Sequence, residues 1–180
     1  MIENGIIVAN VYSGPMPFGT QQWIADSFPE GQRFQMSKAV PLSAGRNSMI
    51  RDVMLPALAS HPDIDWCFFI DNDVTITYPG IDRFLLVEAD IVSCGCKMPS
   101  DTAWETEDAF HDHFWKCRPL VLHKIPPPWF EQNLSEDGCD LLGCDCQTFS
   151  RKVKQAGLRI AHGGWCSHAN ARTCCGAGWQ

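Results

Sequence analysis

The sequence predicts an α/β fold in which helices flank a mostly parallel central sheet. Short runs of β-branched and aromatic residues alternate with segments whose apolar residues recur at helical spacing, and this alternation is typical of parallel sheets. The run at residues 66–70 is apolar at every position, as in a central strand that helices cover on both faces. With 180 residues, the chain is expected to form a single domain over residues 1–180.

Six strands are expected, because six short apolar runs each stop at a turn residue, a proline or a charged residue. They span residues 5–11, 34–40, 66–70, 89–94, 120–123 and 158–161. The first stops shortly before Gly14 and Pro15, and the second stops at Pro41.

Four helices are expected from the spacing of apolar residues, at residues 21–26, 43–58, 81–86 and 149–155. The second continues through Pro56, and Gly157 follows the last at the position of a helix C-cap. Residues 98–117 are irregular, acidic and rich in histidine and tryptophan. This composition is more typical of an exposed loop or flap than of a core element.

Charge and composition exclude several classes of protein. The chain has 14 basic and 21 acidic residues, a net charge of −7, which argues against a broad electrostatic surface for nucleic acid or an anionic membrane. The longest apolar run is far shorter than the roughly 20 residues of a membrane span.

The first residues do not resemble a secretory signal, so a cytoplasmic location is expected. There the ten cysteines should be thiols or metal ligands.

Two carboxylates follow the central strand directly, in the sequence Asp71-Asn72-Asp73. If the extended backbone continues, both side chains point to the same side. Ligands of parallel sheets bind beyond the carboxyl ends of the strands, and paired carboxylates there suit a hard divalent cation. The alternative is an ordinary Asp/Asn turn at the end of a strand.

The order of several motifs resembles that of small, family 2-like GT-A glycosyltransferases of the phage type. The segments that carry the resemblance are residues 46–51, 66–74, 89–92, 125–130 and 149–160, followed by His168. The resemblance implies a GT-A-like single domain with a nucleotide-sugar-binding half at about residues 5–95 and an acceptor and catalytic half at about residues 96–170. It also implies a UDP- or GDP-sugar donor and an acceptor hydroxyl.

The resemblance further implies roles for individual residues. Donor-binding positions are Tyr12, Arg46, Asp71, Asn72 and Asp73, and the metal ligands for Mn²⁺ or Mg²⁺ are Asp71, Asp73 and His168. Asp145 matches the general base of inverting enzymes, and Trp129 is placed at the acceptor. Each residue also has an ordinary structural alternative, such as a helix N-cap for Asp145. If Asp145 is only structural, a retaining mechanism is favoured.

Hydroxymethylated pyrimidines in DNA are one acceptor class that the resemblance implies. The net charge opposes DNA binding, so DNA would have to be held by a local basic patch with tryptophans available for stacking. The basic residues of this hypothetical patch are Arg118, Lys124, Arg151, Lys152 and Lys154. The same tryptophans suit a saccharide acceptor equally well.

Two other functions compete with glycosyl transfer. The sequence from Asp71 to Thr75 also fits a haloacid-dehalogenase-like phosphatase, in which Asp71 would be the nucleophile. The second alternative is a zinc-stabilised, cysteine-rich interaction module, although paired Cys-x₂-Cys motifs are missing from the sequence. Its candidate ligands are Cys94, Cys96, Cys139, Cys144, Cys146 and Cys166, with His111, His113 and His162. A structural Zn²⁺ at Cys139, Cys144 and Cys146 is also compatible with a transferase.

Overall fold

The computed structural model of the protein describes residues 4–10, 15–28, 33–36, 42–76, 80–97, 110–134, 136 and 141–168. The strands are β1 (Gly5–Asn10), β2 (Arg33–Met36), β3 (Trp66–Asp71), β4 (Val74–Thr75), β5 (Ile91–Lys97), β6 (Phe114–Cys117), β7 (Asn133–Leu134), β8 (Leu141–Gly143) and β9 (Ile160–His168). The helices are α1 (Phe18–Ser27), α2 (Leu42–Ser48), α3 (Leu55–Ser60), α4 (Gly80–Leu86), α5 (Pro119–Lys124) and α6 (Asp145–Gln155).

Within the described residues, one seven-stranded sheet has the strand order β2-β1-β3-β6-β5-β9-β4, and β7 pairs with β8 in a separate hairpin. β1 is parallel to β2 and β3, and β5 is parallel to β9. β6 is antiparallel to both β3 and β5, and β4 is antiparallel to β9. Five strands of the large sheet therefore run in one direction, and the predicted α/β fold with a mostly parallel sheet is confirmed.

The central strands are buried on both faces, as predicted from the apolar run at residues 66–70. Val8 and Phe69 belong to one core layer, whereas Ile7 and Phe68 belong to the other, because successive side chains of a strand point to opposite faces. Helices α3, α5 and α6 contribute to the first layer, and α1 and α4 contribute to the second. A fully buried phenylalanine such as Phe68 stabilises the fold by about 2 kcal/mol.

A π-helical segment, Met49–Met54, joins α2 to α3. The sequence predicts one continuous helix here in spite of Pro56. Proline has no N–H to donate, and its ring collides with the carbonyl of the residue four positions earlier, so a wider turn before it relieves the conflict. The helical path is retained, and Met49, Ile50 and Met54 pack into the core.

Two predicted elements are wrong. β6 lies in the segment predicted as an exposed flap, and all four of its residues are buried. The residues directly before β6 are acidic or polar, so this short strand does not stand out in the hydrophobic pattern of the sequence. Residues 120–123, predicted as a strand, form most of α5, because Pro119 is favoured in the first turn of a helix and three apolar residues fit either structure.

Two boundaries also differ from the predictions. α6 begins at Asp145 rather than at residue 149, and β9 extends to His168 rather than ending at residue 161. Residues 163 and 164 are glycines, a residue type that is depleted in strands. Gly163 is needed there because a side chain at this position would collide with Phe84 and Val92.

Candidate functional site

Arg46 lies at the centre of a cluster of three aspartates. Its Nη1 atom donates to Asp145 Oδ2 at 2.9 Å and is 2.6 Å from Asp112 Oδ2. Its Nη2 atom donates to Asp71 Oδ2 at 3.1 Å. We call Arg46, Asp71, Asp112, Asp145 and the neighbouring His113 the acidic cluster. All five residues are buried, with at most 7% of any of them exposed.

The sheet positions one side of the acidic cluster. Asp71 ends β3, and its N–H donates to the carbonyl of His113 at 2.8 Å. Because β3 and β6 are antiparallel neighbours, the residues just before β6 lie beside the carboxyl end of β3. Ser93 in β5 fixes the same segment from the other side, since its hydroxyl donates to the His111 carbonyl at 2.7 Å and accepts from the His111 N–H at 2.8 Å.

Helices position the other side. Arg46 lies in α2, and Asp145 is the first residue of α6. The N-cap position of α6 is occupied by Cys144, so Asp145 is not the helix N-cap that the sequence left as an alternative. Its carboxylate is still favoured in the first turn, where the helix dipole is positive.

The segment that follows α5 packs against α2. Asn47 donates from Nδ2 to the Phe130 carbonyl at 2.7 Å and accepts the Phe130 N–H at Oδ1 at 3.0 Å. The ring of Phe130 lies 5.8 Å from the Arg46 guanidinium carbon. These contacts hold the helix that carries Arg46, and they give a structural role to the Arg-Asn pair and to the Pro-Trp-Phe segment.

The electrostatics of the acidic cluster depend on Arg46. Burial by itself would lower the pKa of Arg46, but the carboxylates of Asp112, Asp71 and Asp145 outweigh it and hold that pKa well above its ordinary value. One guanidinium compensates three carboxylates, so the cluster has a formal charge of −2 when His113 is neutral. A further cation would therefore be attracted to it.

Asp71, Asp112 and His113 could hold a divalent cation. Their candidate ligand atoms all lie within 4.8 Å of one another, and His113 Nδ1 is 3.2 Å from Asp71 Oδ2. Two carboxylates and one imidazole fit Mn²⁺ and other first-row metals, whereas Mg²⁺ prefers oxygen ligands alone. The donor set therefore fits the kind of cofactor predicted from the sequence.

The structure brings together three of the predicted site residues, Arg46, Asp71 and Asp145. Asn72 and Asp73 are buried and form a turn between β3 and β4, so the extended geometry that would align both carboxylates ends at Asp71. Among the described residues, Asp73 is not part of a three-ligand group with Asp71.

Of the other predicted site residues, only Trp129 has a described side chain. Trp129 is buried, and its indole Nε1 donates to the Leu122 carbonyl at 3.2 Å. His168 ends β9, where its backbone pairs with Val74, but its side chain is outside the described part of the chain, as is all of Tyr12.

Sequence reasoning missed Asp112, and it named His113 only as a candidate ligand of the alternative zinc-stabilised module. Both fall in the segment interpreted as a flap, where acidic residues and histidines suggested exposure to solvent. The one available signal was the order His111-Asp112-His113 directly before Phe114-Trp115. Metal-binding residue types that precede an apolar run can indicate a site at the beginning of a buried strand.

No protein-family model matches the sequence, and a search of curated proteins gives no match. Among solved structures, the chain is similar to A197 from STIV, with a TM-score of 0.55 and 16% identity over 87% of this chain and 80% of that one. It is also similar to a glycosyltransferase involved in the glycosylation of the major capsid of PBCV-1, with a TM-score of 0.48 and 9% identity over 92% and 94% of the two chains. At such identities the likeness to A197 concerns the fold alone.

No helix in the described residues is both long and apolar enough to cross a membrane.

Proposed function

We propose that the protein is a metal-dependent glycosyltransferase of the GT-A type, which transfers a sugar from a nucleoside diphosphate to an acceptor hydroxyl. The observation that carries the proposal is the acidic cluster, in which three aspartates surround one arginine at the carboxyl end of β3 and His113 lies beside Asp71. The α/β fold and the order of sequence motifs from Arg46 to His168 support the same function.

Asp71, Asp112 and His113 would hold the divalent cation, with Asp73 and His168 retained as further candidate ligands. When bound, such a cation neutralises the charge that develops on a departing diphosphate. Arg46 supplies a second positive charge beside the same position. Tyr12 and Asn72 are proposed to contact the nucleotide part of the donor.

Asp145 is proposed as the general base. Its Oδ2 atom accepts from Arg46 Nη1 at 2.9 Å, which fixes the orientation of the carboxylate. Asp145 would take the proton of the acceptor hydroxyl while that oxygen forms a bond to the anomeric carbon. The bond from that carbon to the diphosphate breaks, and the nucleoside diphosphate leaves with the bonding electrons, so the anomeric configuration inverts.

Hydroxymethylated DNA is one class of acceptor to test. Two residues of the hypothetical basic patch already have acidic partners. Arg118 lies 2.5 Å from Glu88, and Lys152 lies 2.9 Å from Glu131. Pairing reduces the charge that they offer to phosphates, and the burial of Trp129 reduces its use for stacking.

A transfer assay tests the proposed function. UDP- and GDP-sugars are incubated with Mn²⁺ and two acceptor panels, DNA containing 5-hydroxymethylcytosine or 5-hydroxymethyluracil and simple saccharides, and the mass added to each acceptor is measured. A sugar adduct that requires both Mn²⁺ and Asp71 supports the transferase. Hydrolysis of p-nitrophenyl phosphate that disappears in Asp71→Asn, without any adduct, would instead support the phosphatase alternative.

A further inference from the structure

A second group of metal-binding side chains adjoins the acidic cluster at Asp145, which accepts from Arg46 at 2.9 Å. Cys144, Asp145 and Cys146 each offer one ligand atom, and the three atoms lie within 4.8 Å of one another. Both cysteines are thiols rather than half-cystines. Cys144 is half-buried and Cys146 is buried, so the group is partly accessible to solvent.

The two carboxylate oxygens of Asp145 face different partners. Oδ2 accepts from Arg46 at 2.9 Å, whereas Oδ1 accepts the Cys146 N–H at 3.1 Å and lies 4.0 Å from Cys146 Sγ. One oxygen can therefore serve a metal ion beside the cysteines while the other keeps its bond to Arg46.

We propose that Cys144, Cys146 and Asp145 Oδ1 form a binding site for a thiophilic divalent cation such as Zn²⁺. Two sulfur ligands and one oxygen ligand leave a fourth position of a tetrahedral ion for water. Each thiol loses its proton when the ion binds. The group at Asp71, Asp112 and His113 offers no sulfur, so a thiophilic ion prefers the site with the cysteines.

Such an ion would act on the base of the proposed reaction, a consequence that rests on the proposed function. The carboxylate of Asp145 would be shared between the ion and Arg46, and its ability to take a proton from an acceptor would fall. Zn²⁺ would then slow Mn²⁺-dependent transfer, whereas the binding site itself does not depend on any activity.

Cadmium absorption tests the site directly, because thiolate ligands give Cd²⁺ a charge-transfer band in the ultraviolet. The reduced full-length protein is titrated with Cd²⁺ and, in parallel, with Zn²⁺ under equilibrium dialysis with metal analysis. We expect one ion per chain whose binding depends on Cys144, together with a sulfur charge-transfer band. In Cys144→Ser the affinity should fall roughly 100-fold or more, since loss of a direct ligand costs at least as much as loss of a supporting contact.

Serine is itself a favoured N-cap residue, so Cys144→Ser should keep α6 and the fold, which circular dichroism verifies. The matched control is Cys174→Ser with Cys175→Ser, which removes two other cysteines and should leave the ion in place. The proposal is overturned if the parent gives no sulfur band, if Cys144→Ser binds as tightly as the parent, or if only the control variant loses the ion.

Discussion

Arg46 and Asp145 are separated by 99 positions in the chain, yet Arg46 Nη1 donates to Asp145 Oδ2 at 2.9 Å in the interior of the protein. The contact joins α2 to the first turn of α6. Because the same guanidinium also binds Asp71 and Asp112, it connects the end of β3, the segment before β6 and the beginning of α6. Arg46 therefore assembles the candidate site as well as belonging to it.

Arg46→Met should destabilise the protein strongly, because it leaves three buried carboxylates without their counter-charge. Removal of one partner from a buried ion pair typically costs 3 to 5 kcal/mol, and we expect a loss of roughly this size. Mn²⁺ should restore part of the stability of the variant, since the cation supplies the missing positive charge. Thermal and urea unfolding with and without Mn²⁺ measure both effects.

Arg51→Met is the matched control for this variant. Arg51 pairs with Asp52 at 2.6 Å, but both side chains are exposed, and surface pairs contribute little to stability. Its unfolding midpoint should stay close to that of the parent. Equal losses in Arg46→Met and Arg51→Met would contradict the central role of the buried guanidinium.

Asp145→Asn should reduce the turnover number of the proposed transfer by roughly 10²-fold or more, while the affinity for the donor changes little. The amide keeps the size of the side chain but cannot accept a proton from the acceptor. Steady-state kinetics and calorimetric donor binding separate the two quantities. Glu136→Gln, at an exposed position nearby in the sequence, should behave like the parent. A loss of turnover confined to Glu136→Gln would place the base there instead.

Lys116 gives the protein a pH-dependent stability away from the site. Its ammonium donates to the Leu85 carbonyl at 2.9 Å and lies 3.9 Å from the centre of the Trp66 ring. Burial lowers the pKa of Lys116 to about 8, whereas an unfolded lysine has a pKa of about 10.4. Between these two values the unfolded chain binds a proton that the folded chain has lost, so stability from this residue rises with pH.

Lys116→Met removes this titration. The difference in unfolding free energy, variant minus parent, should fall by about 1 kcal/mol per pH unit between pH 8 and pH 10. Urea unfolding of both proteins across this range measures it, and effects of the remaining groups largely cancel in the difference. A difference that is constant with pH would show that Lys116 titrates as in water.

The sequence predicted the parts of the fold whose hydrophobic pattern is local and strong. The run at residues 66–70 could be interpreted correctly because a strand buried on both faces is apolar at every position. β6 could not be recognised in the same way, since its four residues include Lys116, which is buried in spite of its charge. The ammonium has partners from other elements, Leu85 and Trp66, which no local pattern reveals.

The site was predictable only where a motif coincided with the end of a recognised strand or the beginning of a helix. Asp71 follows such a strand, and Arg46 and Asp145 were found through their resemblance to family motifs. Asp112 and His113 reach the cluster because β6 pairs with β3 in the antiparallel direction. This pairing depends on tertiary packing and not on the local sequence. Asp112 and His113 could not be assigned to the site in advance, because the sequence does not show the direction in which β6 pairs.

The most direct test of the acidic cluster as a site for a metal and a nucleoside diphosphate is calorimetric titration of UDP and GDP with Mn²⁺ and again with EDTA. We predict that at least one nucleotide binds in Mn²⁺ and that its affinity falls roughly 100-fold or more in EDTA, because the buried carboxylates repel the diphosphate without a cation. Asp71→Asn should lose the Mn²⁺-dependent binding, and the exposed control Asp52→Asn should keep it. Equal affinity with Mn²⁺ and with EDTA, or unchanged binding in Asp71→Asn, would contradict the proposed function.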